Sequence, residues 1–170
     1  ERIDCDGSLR VTLALTAAPD IITNPTDIAL VLDRSGSMTG TPLANMKTGA
    51  KTFIDIISQS TGGQPSGEIG SGSHIGIVRF ANTAMQNTQM ITAVDALKNA
   101  VDALVAGGST NHADAFDKAV GLFDPNSSSA KVIVMFTDGK TTAGAPPAPV
   151  AAAARAQGII IYCIGLVGSD

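Results

Sequence analysis

The 170-residue sequence has no tryptophan and one tyrosine, and only 15% of its residues are charged. The net charge is -4, so the chain lacks the basic surface that a nucleic-acid-binding protein needs. It also lacks any apolar run of the roughly 18 to 20 residues that a membrane-spanning helix requires. Composition therefore argues against nucleic acid as a partner and against membrane insertion. An acidic partner would have to be attracted by a local cation, such as a bound metal ion.

Cysteine is scarce as well, with Cys5 near the N-terminus and Cys163 in a late apolar segment. The two thiols are either unrelated, with Cys163 buried, or they form a disulfide that ties the N-terminal segment to the sheet. A disulfide would indicate an oxidising compartment. The chain begins at Glu1 without a methionine or a signal-like segment, which is typical of a processed chain or of one cut from a longer protein.

Alanine, valine, isoleucine and leucine are plentiful, and at this length one domain with one core is expected. Residues 28–32 and 132–136 are apolar on both faces, which is typical of central strands in a parallel sheet. Segments with helical apolar spacing alternate with the predicted strands. The pattern predicts an α/β fold, a three-layer doubly wound and mostly parallel sheet with helices on both faces and one antiparallel edge strand.

The strand boundaries follow from apolar runs and turn residues. Residues 8–17 alternate between apolar and polar, which predicts one strand within an N-terminal extension, residues 1–25. The main domain is then expected over residues 26–170. Its strands are predicted at residues 27–33, 75–80, 84–91, 131–137 and 159–166, with 84–91 as the antiparallel strand.

Four helices are predicted between these strands. The first has Thr41 as its cap and Pro42 in its first turn. The second opens at a capping box, Thr92-x-x-Asp95. The third covers residues 111–123, and an alanine-rich helix ends before Gly158.

Three polar segments follow predicted strands or turns. They are Asp33-Arg34-Ser35-Gly36-Ser37, Ser109-Thr110-Asn111 and Thr137-Asp138-Gly139. In an open α/β sheet, ligands collect at the carboxyl ends of such strands. Magnesium and related ions take oxygen ligands in near-octahedral geometry and usually keep some waters. Two carboxylates and three hydroxyls fit that requirement and leave a coordination position open, so the sequence predicts a divalent-metal site.

The same segments resemble the metal-ion-dependent adhesion site of von Willebrand factor A domains, including the I domains of integrins. The resemblance covers roughly residues 26 to 168, with strands and helices in the family's order. It implies an ion held directly by hydroxyls of Ser35, Ser37 and Thr110, and mainly through water by Asp33 and Asp138. The chain departs from the pattern at Asp170, before the family's last strand and closing helix, so both are expected to be absent.

The resemblance predicts a binding module. Neutral hydroxyl ligands leave the charge of the ion poorly neutralised, so the ion should bind a carboxylate strongly. The predicted partner is a protein that offers an Asp or Glu side chain, and the predicted ion is Mg²⁺ or Mn²⁺ rather than the larger Ca²⁺. Secretion or display at the cell surface is the expected location.

Other functions stay open at this point. Some members of the family partner ATPases, so an intracellular assembly subunit is one alternative. A haloacid-dehalogenase-like phosphatase would use Asp33 as its nucleophile, but it needs a second acid where Ser35 stands. A serine hydrolase built from Ser35 or Ser37 with His112 lacks the GxSxG pattern. In a purely structural alternative, the two serines cap the following helix and Asp138 caps a turn.

Residues beside the motif are not expected to bind the ion themselves. Arg34 is expected to be a solvated charge, and His112 a solvated residue at a helix start. Gly36 is expected to permit a tight turn close to the ion. The polar residues after Asp138, namely Lys140, Thr141 and Thr142, are expected to reach the rim of the site.

Overall fold

The computed structural model describes residues 25–64, 66–70 and 72–166. The predicted strand at residues 8–17 and Cys5 lie outside the described residues. The elements of the described part are, in chain order, β1 (Thr26–Asp33), α1 (Thr41–Ser60), β2 (His74–Phe80), β3 (Ala84–Gln86), α2 (Val94–Asp102), α3 (His112–Val120), β4 (Ala130–Thr137), α4 (Pro147–Ala156) and β5 (Ile160–Gly165).

The five strands form one sheet in the order β3-β2-β1-β4-β5. Strands β2, β1, β4 and β5 are parallel, and β3 pairs antiparallel to β2. Every residue of the central strand β1 is buried, as its continuous apolar sequence predicts. The predicted fold class, a mostly parallel sheet with an antiparallel edge strand, is confirmed.

Helices cover both faces of the sheet because alternate side chains of each strand point to opposite sides. Ile28, Leu30 and Leu32 of β1 belong to the hydrophobic cluster that includes α1 and α2. Ala29 and Val31 belong to the cluster that includes α3 and α4. The apolar run of β1 therefore contributes side chains to the core on both faces of the sheet, and β1 lies in the centre of the three layers.

The strand order also fixes where a ligand can bind. The chain passes from β1 to β2 and β3 on one side, and it returns to β4 and β5 on the other side of β1. The carboxyl ends of β1 and β4 therefore form the switch point at which open α/β sheets bind ligands. None of the helices in the described ranges has the length and apolar character needed to cross a membrane.

Both capping predictions are wrong. The cap of α1 is Gly40, and Thr41 is already the first residue of the helix. Helix α2 is preceded by Ala93, without a side-chain cap, because the hydroxyl of Thr92 donates to the carboxylate of Glu68 instead. Glu68, which is distant in sequence, has thus taken the Thr92 hydroxyl that was expected to cap the helix.

The antiparallel segment is shorter than predicted. Its ladder covers only Ala84–Gln86, and single bridges join Ile91 to Ile75 and Ala93 to Glu68 further along. Between them, the amide of Ile77 donates to the hydroxyl of Thr88, a side-chain acceptor in place of a strand carbonyl. Strand pairing is interrupted at that point.

Strand β5 lies where it was predicted, but its side chains are not buried. Ile160 and Tyr162 are 44% and 49% exposed, since β5 is the edge of the described sheet. Cys163, expected to be buried, is exposed and holds a free thiol. Its predicted disulfide partner, Cys5, lies outside the described residues, so the disulfide stays a prediction.

Candidate metal centre

Asp33 is the last residue of β1, and its side chain is fully buried at 0% exposure. One carboxylate oxygen, Oδ1, accepts a hydrogen bond from the backbone N–H of Ser35 at 2.8 Å. The other, Oδ2, accepts from the hydroxyl of Thr137 at the end of β4 at 2.6 Å. A buried carboxylate is costly unless it is hydrogen-bonded. The two bonds satisfy this carboxylate and fix its orientation.

The two serines and Asp138 continue this network towards solvent. The hydroxyl oxygens of Ser35 and Ser37 lie 3.1 Å apart, and the hydroxyl of Ser37 donates to Oδ1 of Asp138 at 2.9 Å. Neither serine caps a helix: Ser35 makes no capping bond to the short 3₁₀ turn that follows, and Gly40 caps α1. The capping alternative for the serines is wrong, and four of the five motif residues are joined by hydrogen bonds.

Thr110 is brought to the same end of the sheet by its backbone. Its N–H donates to the hydroxyl of Thr142 at 2.8 Å, and its carbonyl accepts from the N–H of Thr142 at 2.9 Å. Just before it, the carbonyl of Gly108 accepts from the N–H of Gly36 at 2.8 Å. The loop that carries Thr110 is thus held by the loops that follow β1 and β4.

Two glycines allow these loops to approach each other. Gly108 has a φ of +92°, which favours glycine, and a Cβ at this position would lie 2.4 Å from Oδ1 of Asn82. A Cβ at Gly36 would lie 3.3 Å from the carbonyl oxygen of Gly108. Gly36 does not have a positive φ, so its role is the close approach of backbones.

Arg34 is not the solvated charge that was predicted. Its guanidinium donates to the carbonyls of Val105 and Gly107 at 3.3 and 3.4 Å, and its own carbonyl accepts from the N–H of Gly107 at 2.7 Å. It joins the end of β1 to the start of the loop that carries Thr110. The prediction missed this role because it considered only the chain neighbours of Arg34, and the partners of Arg34 are about seventy residues away in sequence.

The prediction that His112 is solvated is also wrong, because the residue is only 7% exposed. Its Nε2 lies 3.0 Å from the hydroxyl of Thr137, its Nδ1 lies 2.8 Å from the hydroxyl of Thr141, and its ring packs against Phe80. Burial lowers the pKa of His112, and the charge of Asp33 partly opposes that shift. The helical spacing of buried residues in α3, at positions 112, 115, 116 and 119, is the sequence signal that places His112 inside.

The donor set fits a small hard cation. Two ligands at right angles on an ion with bonds of 2.0–2.1 Å lie about 3 Å apart, close to the separation of the Ser35 and Ser37 hydroxyls. Among the described residues, no group of three or more His, Cys, Asp or Glu residues could hold a metal ion. A site at this position would therefore depend on hydroxyls.

A groove lies between α1 and α2, away from the candidate site. It is lined by charged side chains that pair with one another, Lys51 with Asp102 at 2.7 Å and Lys98 with Asp55 at 2.6 Å. It lies on a helical face rather than at the strand ends.

Comparison with known proteins places the fold. The family model of the von Willebrand factor type A domain matches residues 27–170. A von Willebrand factor type A structure from Catenulispora acidiphila is similar with a TM-score of 0.70 and 23% identity, over 84% of this chain and 33% of that chain. No curated protein matches the sequence.

Two further solved structures have named contexts. The vWF domain of the type V pili tip protein Mfa5 from Porphyromonas gingivalis is similar with a TM-score of 0.62 and 21% identity, over 70% of this chain and 39% of that chain. Proximal thread matrix protein 1 from the mussel byssus, with a zinc-occupied MIDAS motif, has a TM-score of 0.68 and 24% identity, over 85% of this chain and 36% of that chain. At these identities the likeness shows the fold, and this chain spans well under half of each protein.

Proposed function

The chain belongs to the von Willebrand factor type A domain family, and we propose that the strand ends of β1 and β4 form a metal-ion-dependent adhesion site. The observation that carries the proposal is the hydrogen-bonded series Asp33, Ser35, Ser37 and Asp138 at the switch point of the sheet. Thr110, held between the neighbouring loops, is the fifth residue of the site. The proposed domain extends over residues 26–170, after an extension of residues 1–25.

The residues divide into two roles. Ser35, Ser37 and Thr110 would hold the ion through hydroxyl oxygens, and Asp33 and Asp138 would act mainly through water. The bound ion would supply an incompletely neutralised positive charge, which is the chemistry that attracts a carboxylate. Mg²⁺ or Mn²⁺ is proposed over Ca²⁺, because three short hydroxyl side chains and waters suit a small octahedral ion better than a larger ion that takes about six to eight oxygens.

The proposed partner is a protein that offers an Asp or Glu side chain. With a net charge of -4, the chain would repel an acidic partner at long range, so capture would depend on the ion. Secretion or display at the cell surface is proposed as the location. A pili tip protein and a byssal thread matrix protein are among the similar structures, which supports that location.

Titration calorimetry with Mg²⁺, Mn²⁺ and Ca²⁺ tests the site. We expect saturable binding of Mg²⁺ and Mn²⁺ that is lost in Ser37→Ala and Asp138→Ala. Both side chains lie towards the surface, so neither variant should disturb the core. Asp117→Ala, which removes an exposed carboxylate from α3, is the matched control and should bind as the wild type does. Absence of saturable binding by the wild type would refute the proposal.

Partner capture is tested separately. Immobilised protein is incubated with candidate extracellular proteins in Mg²⁺ and, in parallel, in chelator. We expect retention of a partner only in Mg²⁺, and loss of that retention when the partner's acidic residue is changed to its amide. Retention that is equal in chelator would contradict a metal-bridged contact.

A phosphatase is disfavoured by the position of Asp33. A nucleophilic carboxylate must be reached by its substrate, whereas Asp33 is fully buried, and Ser35 stands where such phosphatases need a second acid. We predict no turnover of chromogenic phosphate or ester substrates, with or without Mg²⁺. Activity that co-purifies with the protein and disappears in Asp33→Asn would overturn this prediction.

A further inference from the structure

The hydroxyl of Thr137 has a complete set of hydrogen bonds, and their directions can be assigned. A hydroxyl offers one donor and two acceptor positions. Asp33 is an acceptor, so the Thr137 proton points to Oδ2 of Asp33 at 2.6 Å. The two acceptor positions then receive the N–H of Gly139 at 3.3 Å and Nε2 of His112 at 3.0 Å.

This assignment fixes the state of His112. Its Nε2 must carry a proton, because the Thr137 hydroxyl has already used its own. In the neutral ring, Nδ1 is then an acceptor, and the hydroxyl of Thr141 at 2.8 Å is its donor. The result is a directed series of hydrogen bonds from Thr141 through His112 and Thr137 to Asp33.

We propose that His112 is a positioning residue of the metal site, which orients the Asp33 carboxylate through the hydroxyl of Thr137. This inference rests on the proposed function, since it concerns the same site. His112 does not touch the carboxylate itself. Its N–H occupies an acceptor position of the Thr137 hydroxyl, which leaves that hydroxyl only one direction for its proton.

His112 is placed as a residue that orients a metal-binding side chain without touching the ion itself. Groups that orient metal-binding side chains commonly act through a second hydrogen bond of the same residue. The Asp33 carboxylate that accepts the Thr137 bond is fully buried. If the Thr137 hydroxyl pointed elsewhere, water could not easily take its place as a donor to Asp33. Packing of the His112 ring against Phe80, with ring centres 5.3 Å apart, holds the ring in place.

The test compares two replacements of His112. Leucine fills similar space but cannot donate, whereas the amide of glutamine can reach towards Thr137 with an N–H. We expect His112→Leu to weaken Mg²⁺ binding about 10- to 100-fold in calorimetry, in the range typical of outer-shell partners, and His112→Gln to restore most of it. His74→Leu is the matched control, because His74 lies at the opposite end of the sheet, hydrogen-bonded to Asp27. It should leave Mg²⁺ binding unchanged.

A double-mutant cycle tests the route. If His112 acts through Thr137, then His112→Leu should have little further effect on Mg²⁺ binding once Thr137→Val has removed the hydroxyl. Thermal unfolding in chelator monitors the fold of every variant. Should His112→Leu not fold, Thr141→Val removes the donor at the other end of the series, and the same dependence on Thr137 is expected.

The outcomes separate the two proposals. A wild-type protein that binds no Mg²⁺ or Mn²⁺ refutes the metal site itself. A wild-type protein that binds Mg²⁺, with unchanged affinity in His112→Leu, refutes the role of His112 alone. Effects of His112→Leu and Thr137→Val that simply add would also refute it, because His112 would then act by another route.

Discussion

At the scale of single residues, the proposed site separates side chains that are buried in the fold from those that lie at the surface. Asp33 and Ser35 are buried, whereas Ser37 is exposed and Asp138 is only partly covered. Substitution of a buried hydrogen-bonded group leaves its partners unsatisfied, which costs about 1–3 kcal/mol each. Outer residues such as Ser37 are therefore the cleaner probes of metal binding.

Thr110 combines burial with a backbone that is held independently of its side chain. The hydrogen bonds that fix its position involve its N–H and carbonyl, both bonded to Thr142. Thr110→Ala should retain those bonds. We predict that the variant loses Mg²⁺ affinity in calorimetry while its cooperative thermal transition in chelator persists. Loss of that transition would mean that the Thr110 side chain is needed for folding.

The lowered pKa of His112 predicts a pH dependence of stability. Its ordinary value is 6.5, and the folded protein favours the neutral ring because the ring is buried. The unfolded chain then binds a proton before the folded chain does as pH falls. Stability from this group is therefore fully present above about 6.5 and is lost as pH drops below that value.

The measurement is urea unfolding in chelator between about pH 7.5 and 5.5, which spans the ordinary titration of histidine. The difference in unfolding free energy between wild type and His112→Gln should narrow as pH falls. His74→Gln provides the comparison for the other histidine of the chain. A difference that stays constant over the range would contradict the predicted pKa shift.

The sequence contains a recognisable motif, but it does not show which neighbouring residues hold the motif in place. The places of Asp33 and Asp138 at strand ends were predictable, because each directly follows an apolar run that is typical of a buried strand. Arg34 and His112 were read as solvated because each stands at the end of an element, where polar residues usually face water. Their actual partners, the carbonyl of Gly107 and the hydroxyl of Thr137, come from other loops and strands. Only the helical spacing around His112 could have indicated its burial.

At the scale of elements, the loop between α2 and α3 depends on the conformation of Gly108. Alanine there would adopt an unfavourable positive φ and would also place its Cβ against Asn82, whose side chain accepts from the N–H of Ser109 at 2.5 Å. Gly62, at the end of α1, also has a positive φ, but open space surrounds its Cβ position. The two glycines therefore separate backbone strain from steric clash.

We predict that Gly62→Ala destabilises the protein by about 1–2 kcal/mol, the usual cost of a left-handed conformation, without changing Mg²⁺ affinity. Gly108→Ala should cost more and should also weaken Mg²⁺ binding, because displacement of Asn82 loosens the segment that leads to Thr110. Urea unfolding and calorimetry measure the two effects. Equal behaviour of the two variants would show that the contact with Asn82 is unimportant.

Strands that are buried on both faces could be predicted from sequence. Helix caps could not, because a residue distant in sequence can bind the side chain that was expected to cap the helix. The apolar runs of β1 and β4 have no alternative to the middle of a sheet. The cap of α2 failed because Glu68, more than twenty residues away in sequence, took the hydroxyl of Thr92. Periodicity contains no information about such a competitor.

At the scale of the whole molecule, the two edges of the described sheet differ. One edge is β3, only three residues long, and short edge strands limit unwanted pairing. The other edge is β5, which exposes Ile160 and Tyr162. The sequence of β5 is as apolar as that of a buried strand, which is why Cys163 was wrongly expected to be buried. Neighbours decide burial, and they are set by topology rather than by local composition.

The same edge makes Cys163 a reporter of the compartment. In the structure it is a free, exposed thiol, and partial burial raises its pKa above the ordinary value of 9.0. We predict that native protein, purified without reductant, is alkylated at Cys163 by N-ethylmaleimide. The reactive species is the thiolate, so the rate should still be rising with pH at about 9. Mass spectrometry of peptides that contain Cys163 measures the extent and the rate.

The alternative outcome is equally informative. A non-reduced protein in which Cys163 is unreactive and linked to Cys5 would contradict the free thiol and would support an oxidising compartment. Two reactive thiols would remove the disulfide argument for secretion, and an intracellular assembly subunit would then have to be tested by co-purification with an ATPase. The proposed metal binding at Ser37 and Asp138 is independent of this result, because the proposed site lies at the ends of β1 and β4 and its side-chain hydrogen bonds do not involve β5.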